Sequence, residues 1–436
     1  MEVYAPVARM DTIRLMLALA AQKGWSIYQM DVKSAFLHGT LQESVYVQQP
    51  QGYVVKDKEH KVYKLHKALY GIKQAPRAWY SRIETYFISE GFTRRKNEHT
   101  LFIKEQAGGK LLFVNIYVDD LLFTGNNEEM MANFKKSMKA EFEMTDLGKM
   151  RYFLGIEVIQ NSTGIHISQK KYAIEMLTRF KMMECNAVVN PIVPGCRLNQ
   201  EEGDPVDETM FKQLVGSLMY ITTTRPDIQF VVSFISRFMA KPTEMHLAAA
   251  KRVMRYIQGT LDYGIWYKKG GKGKMEIYTD SDFAGDLSDR KSTSGNVILW
   301  DGAAVSWSSK KQSIVALSST EAEYVAAATC ACQVIWTREI LEELREHQVE
   351  SSVIKCDNTS AIQLSRNPVF HGRCKHIGVR FHFLRDLVSK GTVVLEYVET
   401  SEQVADILTK PLHRVDFQRL REKLGVFSLK GKQDME

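Results

Sequence analysis

The sequence contains no uninterrupted apolar run of about 18 residues, which is the minimum for a membrane-spanning helix. Its first residues also lack the apolar stretch of a secretory signal, because Glu2, Arg9, Asp11 and Arg14 interrupt them. Its six cysteines match neither the spacing of a zinc site nor that of a small secreted disulfide framework. We therefore expect an intracellular protein, cytoplasmic or nuclear, with reduced thiols and no membrane partner.

The composition is that of an ordinary globular protein, with 44% hydrophobic and 25% charged residues among 436. A chain of this length predicts about three domains. Lysine and arginine outnumber aspartate and glutamate by 58 to 51, which makes the formal net charge +7. This moderate basic excess favours a polyanionic partner such as a nucleic acid.

Two adjacent carboxylates, Asp119 and Asp120, stand inside an apolar, strand-like run. They are either an ordinary turn, since Asp readily bonds its own backbone, or a pair at the tip of a hairpin that turns at 118–120. Carboxylates pressed between apolar residues need a neutralising group, and Mg²⁺ prefers their oxygens. Asp31 ends an earlier predicted strand and is either a helix cap or a third member of the same site.

The next segments carry basic residues. Between Lys61 and Lys104 the chain has ten Lys or Arg against three Glu, with aromatic residues interleaved, which is typical either of a nucleic-acid channel or of a solvated helix face. The irregular stretch 181–204 predicts a linker. A helix over 246–258 follows, whose basic side is either a nucleic-acid contact or the solvated side of a plain amphipathic helix.

Carboxylates recur in the last third of the chain, where predicted strands end and helices open. The candidates are Asp280, Glu323, Asp357 and Asp406, with Asp282, Asp286 and Glu321 as competitors. Both glutamates stand at the start of a helix predicted to reach about residue 344. They are therefore either capping residues, in a box with Ser318 or Thr320, or members of a second acidic site.

Four blocks of this chain resemble the reverse transcriptase of copia-type LTR retrotransposons, in that family's order. They are 29–39, 69–80, 117–120 and 152–157. The later carboxylate pattern resembles an RNase H domain. The resemblance implies an α+β fold with a polymerase palm and fingers domain on an antiparallel sheet, a helical connection and an RNase H-like mixed α/β domain. The implied parts are fingers and palm with incomplete fingers (1–180), a linker with a thumb- or connection-like helical segment (181–272), the RNase H-like domain (273–412) and a C-terminal tail (413–436).

The resemblance also implies two sites, each of which holds two Mg²⁺ or Mn²⁺ ions. The polymerase ligands would be Asp31, Asp119 and Asp120, and the RNase H ligands would be Asp280, Glu323, Asp357 and Asp406. The nucleotide-binding residues would be Phe36, which matches the steric gate against a ribose 2′-hydroxyl, and Tyr70, Gly71 and Lys73. The nucleic-acid-binding residues would be Arg77, Phe153, Leu154, Gly155, Lys251 and Arg255, of which 153–155 resemble the primer grip.

The implied function is RNA-directed DNA polymerisation joined to RNase H cleavage. The partners would be an RNA template, a DNA primer, dNTPs and the RNA–DNA hybrid. Members of the family carry a basic fingers strand upstream of 5–9 that this sequence lacks, so a truncated copy with a weakened polymerase is expected. The alternative is an inactive relic that retains only nucleic-acid binding. His371, His376 and His382 are expected to be surface or RNA-contact residues.

Overall fold

The computed structural model describes residues 4–199, 203–366 and 378–429. The chain divides into two compact units, 1–13 with 25–150 and 14–24 with 151–436. The first helix is α1 (Met10–Lys23). His371 and His376 lie outside the described residues, and His382 is exposed. Among the helices described, none is long and apolar enough to cross a membrane.

The first unit is built on a six-stranded antiparallel sheet. The strands of the unit are β1 (Tyr28–Val32), β2 (Thr40–Gln48), β3 (Val62–Lys67), β4 (Thr93–Arg94), β5 (Leu101–Gln106), β6 (Lys110–Tyr117), β7 (Asp120–Gly125) and β8 (Met144–Lys149). The sheet has the order β4-β5-β6-β7-β1-β8, while β2 and β3 pair as a separate hairpin. The predicted hairpin that carries the paired carboxylates is therefore β6–β7, in the middle of the sheet.

Two helices, α2 (Ala75–Ser89) and α3 (Glu128–Glu141), pack against this sheet. Pro76 lies in the first turn of α2, where a missing backbone N–H costs nothing. Phe87 of α2 meets Phe102 of β5 edge to face at 5.0 Å, and Phe134 of α3 meets Phe123 of β7 at 5.1 Å. Each such pair adds about 1 kcal/mol beyond area burial, so this aromatic layer fixes the strands that carry the acids.

The second unit begins with another antiparallel sheet and a group of helices. Its first elements are β9 (Tyr152–Phe153), β10 (Ile156–Asn161), β11 (Gly164–Ser168), α4 (Lys170–Arg179), α5 (Glu208–Ile221), α6 (Gln229–Ser236), α7 (Glu244–Gln258) and β12 (Tyr263–Lys268). The sheet order is β18-β12-β11-β10-β9, where β18 (Val426–Ser428) comes from the far end of the chain. Strands β12 and β18 are not predicted from the sequence.

A mixed five-stranded sheet completes the second unit. Its elements are β13 (Met275–Ser281), β14 (Thr293–Trp300), β15 (Ala303–Lys311), α8 (Ser319–Glu343), β16 (Ser352–Cys356), α9 (Thr359–Arg366), α10 (Gly378–Ser389), β17 (Val393–Tyr397) and α11 (Arg414–Lys423). The order is β15-β14-β13-β16-β17; the first three strands are antiparallel, and β16 and β17 run parallel to β13. The alanines of α8 are mostly buried, because small side chains let the helix lie close to the sheet.

These sheets confirm the predicted fold class, an antiparallel sheet followed by helices and then by a mixed α/β sheet. The predicted domain limits at 180, 272 and 412 stay predictions. The segment predicted as a C-terminal tail contains both α11 and β18, and β18 pairs with β12.

A buried ion pair links several elements of the second unit. Arg225 donates two hydrogen bonds to the carboxylate of Asp227, at 2.9 and 2.8 Å, and both side chains are almost completely buried. Tyr256 of α7 donates to the same carboxylate, and Arg421 of α11 donates to Tyr256. The pKa of Asp227 lies below its usual value because the effect of Arg225 outweighs that of burial. Loss of one member leaves the others buried without their partners.

We expect Asp227→Asn to destabilise the second unit by about 3–5 kcal/mol, because the variant leaves the Arg225 guanidinium buried without a counter-charge. Chemical denaturation followed by tryptophan fluorescence measures this cost. The control is Glu208→Gln, which breaks the exposed pair with Lys212 and should cost less than about 1 kcal/mol. Equal shifts for the two variants would contradict this account of the buried pair.

Candidate functional site

Three of the predicted acids meet at the end of the β6–β7 hairpin. Strand β1 pairs with β7 in the register that sets Asp31 opposite Asp120, and Asp119 lies in the turn next to them. The amide of Val32 donates to the carbonyl of Asp119 at 3.0 Å, which ties the turn to β1. We call Asp31, Asp119 and Asp120 the hairpin cluster. Like charges set opposite each other in a sheet repel, so this register is unfavourable unless something compensates it.

The hairpin turn is shorter than predicted. Tyr117 pairs with Asp120, so the turn consists of Val118 and Asp119 alone, and Asp120 already belongs to β7. Val118 adopts a left-handed backbone with φ of 58°, which is uncommon for a β-branched residue. The indole N–H of Trp79, in α2, donates to the carbonyl of Val118 at 2.6 Å. This hydrogen bond holds the strained turn that carries Asp119.

Burial and mutual repulsion raise the pKa of two members of the hairpin cluster. The pKa of Asp31 is raised by burial and by Asp119. The pKa of Asp120 is also raised by burial, and Gln29 counteracts this by donating to Asp120 Oδ1 at 2.9 Å. Gln29 is buried on β1, two residues before Asp31 and on the same side of the strand. It therefore orients one oxygen of Asp120 and leaves the other available.

A cavity of 280 Å³ opens beside Asp119. Phe36, Leu69, Tyr70 and Val118 are among the residues that line it, and the rings of Phe36 and Tyr70 lie 5.7 Å apart. Two predicted nucleotide-binding residues are thus brought together with one acid of the hairpin cluster. The other two, Gly71 and Lys73, are exposed and are not among the residues that line this cavity.

The predicted nucleic-acid-binding residues Arg77, Lys251 and Arg255 differ from one another in their contacts. Arg77 forms an ion pair with Glu43, and Arg255 donates to the carbonyl of Asn186 at 2.7 Å, so both already have partners within their own units. Lys251 is exposed on α7.

Of the predicted primer-grip residues, Phe153 ends β9, and Leu154 and Gly155 form the turn between β9 and β10. Leu154 and Gly155 have φ of 46° and 73°, as in the tight hairpin turns that require glycine. The hydroxyl of Tyr220 donates to the carbonyl of Leu154. A Cβ at position 155 would lie 2.0 Å from the Tyr220 hydroxyl oxygen, so only glycine fits there. Phe153 is buried. The sequence does not indicate the contact with Tyr220, which comes from α5.

The later acids meet at one edge of the mixed sheet. Strands β13 and β16 are parallel neighbours, and continuing their register brings Asp357, just after β16, level with Asp280 in β13. Glu323 reaches this edge from the start of α8, and Asp406 from a short 3-10 helix, Val404–Leu408. We call Asp280, Glu323, Asp357 and Asp406 the sheet-edge cluster. Ligand atoms of Asp280, Asp357 and Asp406 lie within 4.8 Å of one another, as do those of Glu323, Cys356 and Asp357.

Glycine and glutamine let the 3-10 helix approach the sheet. Gly295 of β14 pairs with Asp280, and a Cβ there would lie 2.8 Å from the Cβ of Leu408. Buried Gln403 donates to the carbonyl of Thr279 at 2.9 Å and accepts from the amide of Ala405. Together these contacts bring Asp406 into the sheet-edge cluster.

Hydrogen bonds orient the acids of the sheet-edge cluster. The amide of Ser281 donates to Glu323 Oε1 at 3.1 Å, and Thr400 Oγ1 donates to Asp357 Oδ2 at 3.1 Å. Thr409 donates to Asp280. Among the residues that the structure describes, Lys410 is the cation paired with these acids: its Nζ lies 2.9 Å from Asp406 Oδ1 and 3.7 Å from Asp280 Oδ2.

The competing acids have other partners. Ser318 is the N-cap of α8, because its Oγ accepts from the amide of Glu321, and the Glu321 carboxylate in turn accepts from the amide of Leu317 at 2.9 Å. Asp282 accepts from the amide of Thr293, and burial raises the pKa of Asp282 to about 6. Asp286 pairs with Lys311 at 2.7 Å and with Arg237 at 3.2 Å.

The sheet-edge cluster is strongly destabilised by its own charge. The pKa of Glu323 is raised by burial and then by Asp280 and Asp357. The pKa values of Asp406 and Asp357 are raised by burial and by Asp280. Four carboxylates that share one lysine leave an excess of negative charge in a largely buried position. Hard divalent cations such as Mg²⁺ fit this all-carboxylate set, and the hairpin cluster offers the same kind of ligand.

Sequence reasoning missed the residues that hold the acids in place. Gln29, Trp79, Gln403, Thr409 and Lys410 each contact an acid or the backbone beside one. Lys410 is the only one of them that carries a signal in the sequence, because it follows Asp406 by four residues, the spacing of one helical turn.

Comparisons with known proteins relate most of the chain to the Pol polyproteins of transposons. Residues 1–194 match the family model described as reverse transcriptase (RNA-dependent DNA polymerase). The retrovirus-related Pol polyprotein from transposon RE1 of Arabidopsis thaliana is 42% identical over 426 residues, which cover 98% of this chain and 29% of the relative. The corresponding polyprotein from transposon TNT 1-94 of Nicotiana tabacum is 38% identical over 437 residues, which cover 98% of this chain and 33% of the relative. The chain thus spans about a third or less of these two curated relatives.

A shorter relative is covered completely. The transposon Ty5-1 protein YCL074W of Saccharomyces cerevisiae is 33% identical over 309 residues, which are 70% of this chain and 100% of the relative. Among solved structures, an RNase H domain of Mycobacterium tuberculosis matches 34% of this chain and 98% of its own, at 14% identity and a TM-score of 0.23. A foamy viral protease-reverse transcriptase in complex with dsDNA matches 87% of this chain and 69% of its own, at 11% identity and a TM-score of 0.21. At such scores the fold assignment depends on the topology described above.

We expect Glu323→Gln to stabilise the protein in EDTA, and to do so more at pH 8 than at pH 5. A carboxyl whose pKa is raised on folding favours the folded state only below the unfolded pKa of about 4.3, and this contribution is lost as the pH rises toward the folded pKa. Glutamine removes that loss and keeps an acceptor for the Ser281 amide. The gain at pH 8 should exceed about 3 °C in the melting temperature.

The matched control is Glu339→Gln, an exposed glutamate of the same helix. Its melting temperature should follow that of the unchanged protein at both pH values. If Glu323→Gln shifts the melting temperature equally at pH 5 and pH 8, Glu323 does not carry the unfavourable charge described here.

Proposed function

The chain belongs to the reverse transcriptase (RNA-dependent DNA polymerase) family of copia-type retrotransposons, and from this premise we propose that it copies RNA into DNA at the hairpin cluster and cleaves the RNA strand of the hybrid at the sheet-edge cluster. One observation carries the proposal. In each unit, acids from distant parts of the sequence converge at the end of a rigid sheet, where burial and repulsion raise the pKa of most of them. Such an arrangement costs stability and is retained where it serves chemistry.

Each cluster would hold two Mg²⁺ or Mn²⁺ ions through its carboxylates. Bound ions of this kind activate an attacking hydroxyl or water and stabilise the leaving oxygen of a phosphodiester. In the hairpin cluster, Asp119 lines the cavity and would supply the ligand oxygen nearest to it, and Asp31 would supply another. Asp120 would contribute the oxygen that Gln29 does not engage.

The residues around the hairpin cluster would position an incoming dNTP. The cavity beside Asp119 has Phe36 and Tyr70 in its wall, and a flat ring at this place would exclude a ribose 2′-hydroxyl while it packs against a deoxyribose. Trp79 would keep Asp119 in place through the carbonyl of Val118. The exposed Lys73 is a candidate for contact with the nucleotide or template backbone, where a positive charge is favourable.

The residues of the sheet-edge cluster would position the scissile phosphodiester and a water molecule. Glu323 is held by the amide of Ser281, and Asp357 by the hydroxyl of Thr400, so each presents a defined oxygen to the centre. Preorganised ligands of this kind avoid reorganisation during the reaction. The substrate would be an RNA–DNA hybrid, which the polymerase reaction of the same chain produces.

A second function would need only binding. The net charge of +7 and exposed basic residues such as Lys251 suit a nucleic-acid-binding relic without catalysis. Retention of all seven carboxylates in clusters that destabilise the fold favours the enzyme, because a binding protein gains nothing from them.

The test is one assay that follows primer extension and hybrid cleavage together, with a primed RNA template, dNTPs and Mg²⁺. Asp119→Asn should reduce extension by at least about a hundredfold and spare cleavage of a preformed hybrid, because it removes a ligand from one cluster alone. Asp357→Asn should have the opposite effect. Asp386→Asn, an exposed aspartate of α10, is the control for both and should leave the two activities unchanged.

The outcomes separate the two functions. If the unchanged protein retards the hybrid on a gel but shows neither activity, the enzymatic proposal is wrong and the binding function stands. If Asp119→Asn and Asp357→Asn each lower both activities equally, the assignment of one reaction to each cluster is wrong.

A further inference from the structure

One lysine lies among the acids of the sheet-edge cluster. The backbone amide of Lys410 donates to the carbonyl of Asp406 at 3.2 Å. Lys410 therefore follows Asp406 by one helical turn, and the two side chains lie on the same face of that turn. Its Nζ lies between two carboxylates, 2.9 Å from Asp406 Oδ1 and 3.7 Å from Asp280 Oδ2. The side chain retains 37% of its exposure, whereas that of Asp280 retains 2%.

The neighbouring carboxylates favour the charged form of Lys410. Burial alone would lower its pKa, but Asp280 and Asp406 raise the pKa of Lys410 above its usual value. The charge of Lys410 also lowers the pKa of Asp357 and of Glu323, the other two acids of the sheet-edge cluster. No other member of the described cluster carries a positive charge, and its three N–H donors suit a place between carboxylates.

We propose that Lys410 is a positioning residue that acts as an internal counter-cation: its ammonium holds Asp280 and Asp406 together when no divalent ion is bound, and it competes with divalent ions for their oxygens. This inference rests on the proposed function, since it requires that the sheet-edge cluster binds divalent ions. It assigns to the chain itself a control on how tightly those ions bind.

The competition follows from distance and charge. A Mg²⁺ ion needs carboxylate oxygens at about 2.0–2.1 Å, and an ammonium that lies 2.9 and 3.7 Å from two of these oxygens occupies the space such an ion would take. Two cations a few ångströms apart in a sheltered place also repel each other. A lysine stem has four rotatable bonds, and this one already reaches solvent, so the ammonium is able to swing outward when an ion binds. The ion therefore binds more weakly than it would without the lysine.

The test variant is Lys410→Met, which keeps a flexible apolar stem and removes the charge. All proteins in the test carry Asp119→Asn, so that calorimetric titration with Mn²⁺ reports the sheet-edge cluster. We expect Lys410→Met to bind Mn²⁺ about tenfold more tightly than its parent and to melt at a lower temperature in EDTA. Saturating Mn²⁺ should remove the difference in melting temperature, because bound ions replace the lost charge.

The matched controls separate this role from ordinary packing. Lys355→Met removes another half-buried lysine of the same sheet, whose Nζ lies 3.0 Å from Tyr278 Oη and 3.6 Å from Glu276 Oε1, outside the sheet-edge cluster. Its Mn²⁺ affinity should equal that of the parent. Lys410→Arg keeps the charge and should bind Mn²⁺ within about threefold of the parent.

Each result decides between the inference and its premise. Binding at the sheet-edge cluster is the Mn²⁺ binding that a further Asp357→Asn change removes. If the parent shows no such binding, the proposed metal centre itself is wrong. If the parent shows that binding but Lys410→Met binds Mn²⁺ equally or more weakly, Lys410 is not a competitor and only the present inference falls. If Lys410→Met does not fold in EDTA, it is purified with Mn²⁺ bound, and its Mn²⁺ affinity is measured by competition with a chelator. The affinity is then compared with that of the parent as above.

Discussion

The repulsion between carboxylates brought together out of water is the constraint on which the two centres depend. In the first unit, Asp31 lies opposite Asp120 in neighbouring strands. In the second unit, ligand atoms of Asp280, Asp357 and Asp406 lie within 4.8 Å of one another. Neither arrangement would persist on flexible segments, because the acids would move apart and become hydrated. The surrounding sheets and helices supply the stability that keeps them together.

The two units solve this problem in different ways. The hairpin cluster depends on strand register, on a strained turn that Trp79 holds, and on an amide from Gln29 that satisfies one oxygen of Asp120. Its nearby cation, Lys33, lowers the pKa of Asp31, but Lys33 is exposed and pairs with Glu143 at 2.9 Å. The sheet-edge cluster is more enclosed and includes an ammonium, that of Lys410. Deeper burial makes an unpaired charge costlier, so an internal cation is most useful in the more sheltered cluster.

Local sequence patterns predicted much of this structure, and the missed parts are non-local. Strand-ending acids and the apolar run around Asp119 were sufficient to predict the β6–β7 hairpin and its partner strand. Strands β12 and β18 were missed, because their pairing joins segments more than 150 residues apart and neither has a distinctive local pattern. The capping box at α8 suited Glu321 and Glu323 equally, and only the long-range approach of β13 brings Glu323 beside Ser281. Most of the residues that hold the acids, such as Gln29 and Thr409, are recognisable only once the strands are placed.

Anomalous scattering from crystals of the chain grown with Mn²⁺ tests the central claim most directly, because it locates the ions without an activity assay. The account predicts Mn²⁺ peaks among the carboxylates of both clusters, with the Lys410 ammonium displaced from Asp280 and Asp406. Peaks at neither cluster, at Mn²⁺ concentrations that saturate known carboxylate sites, would contradict the claim that these acids are gathered to bind metal.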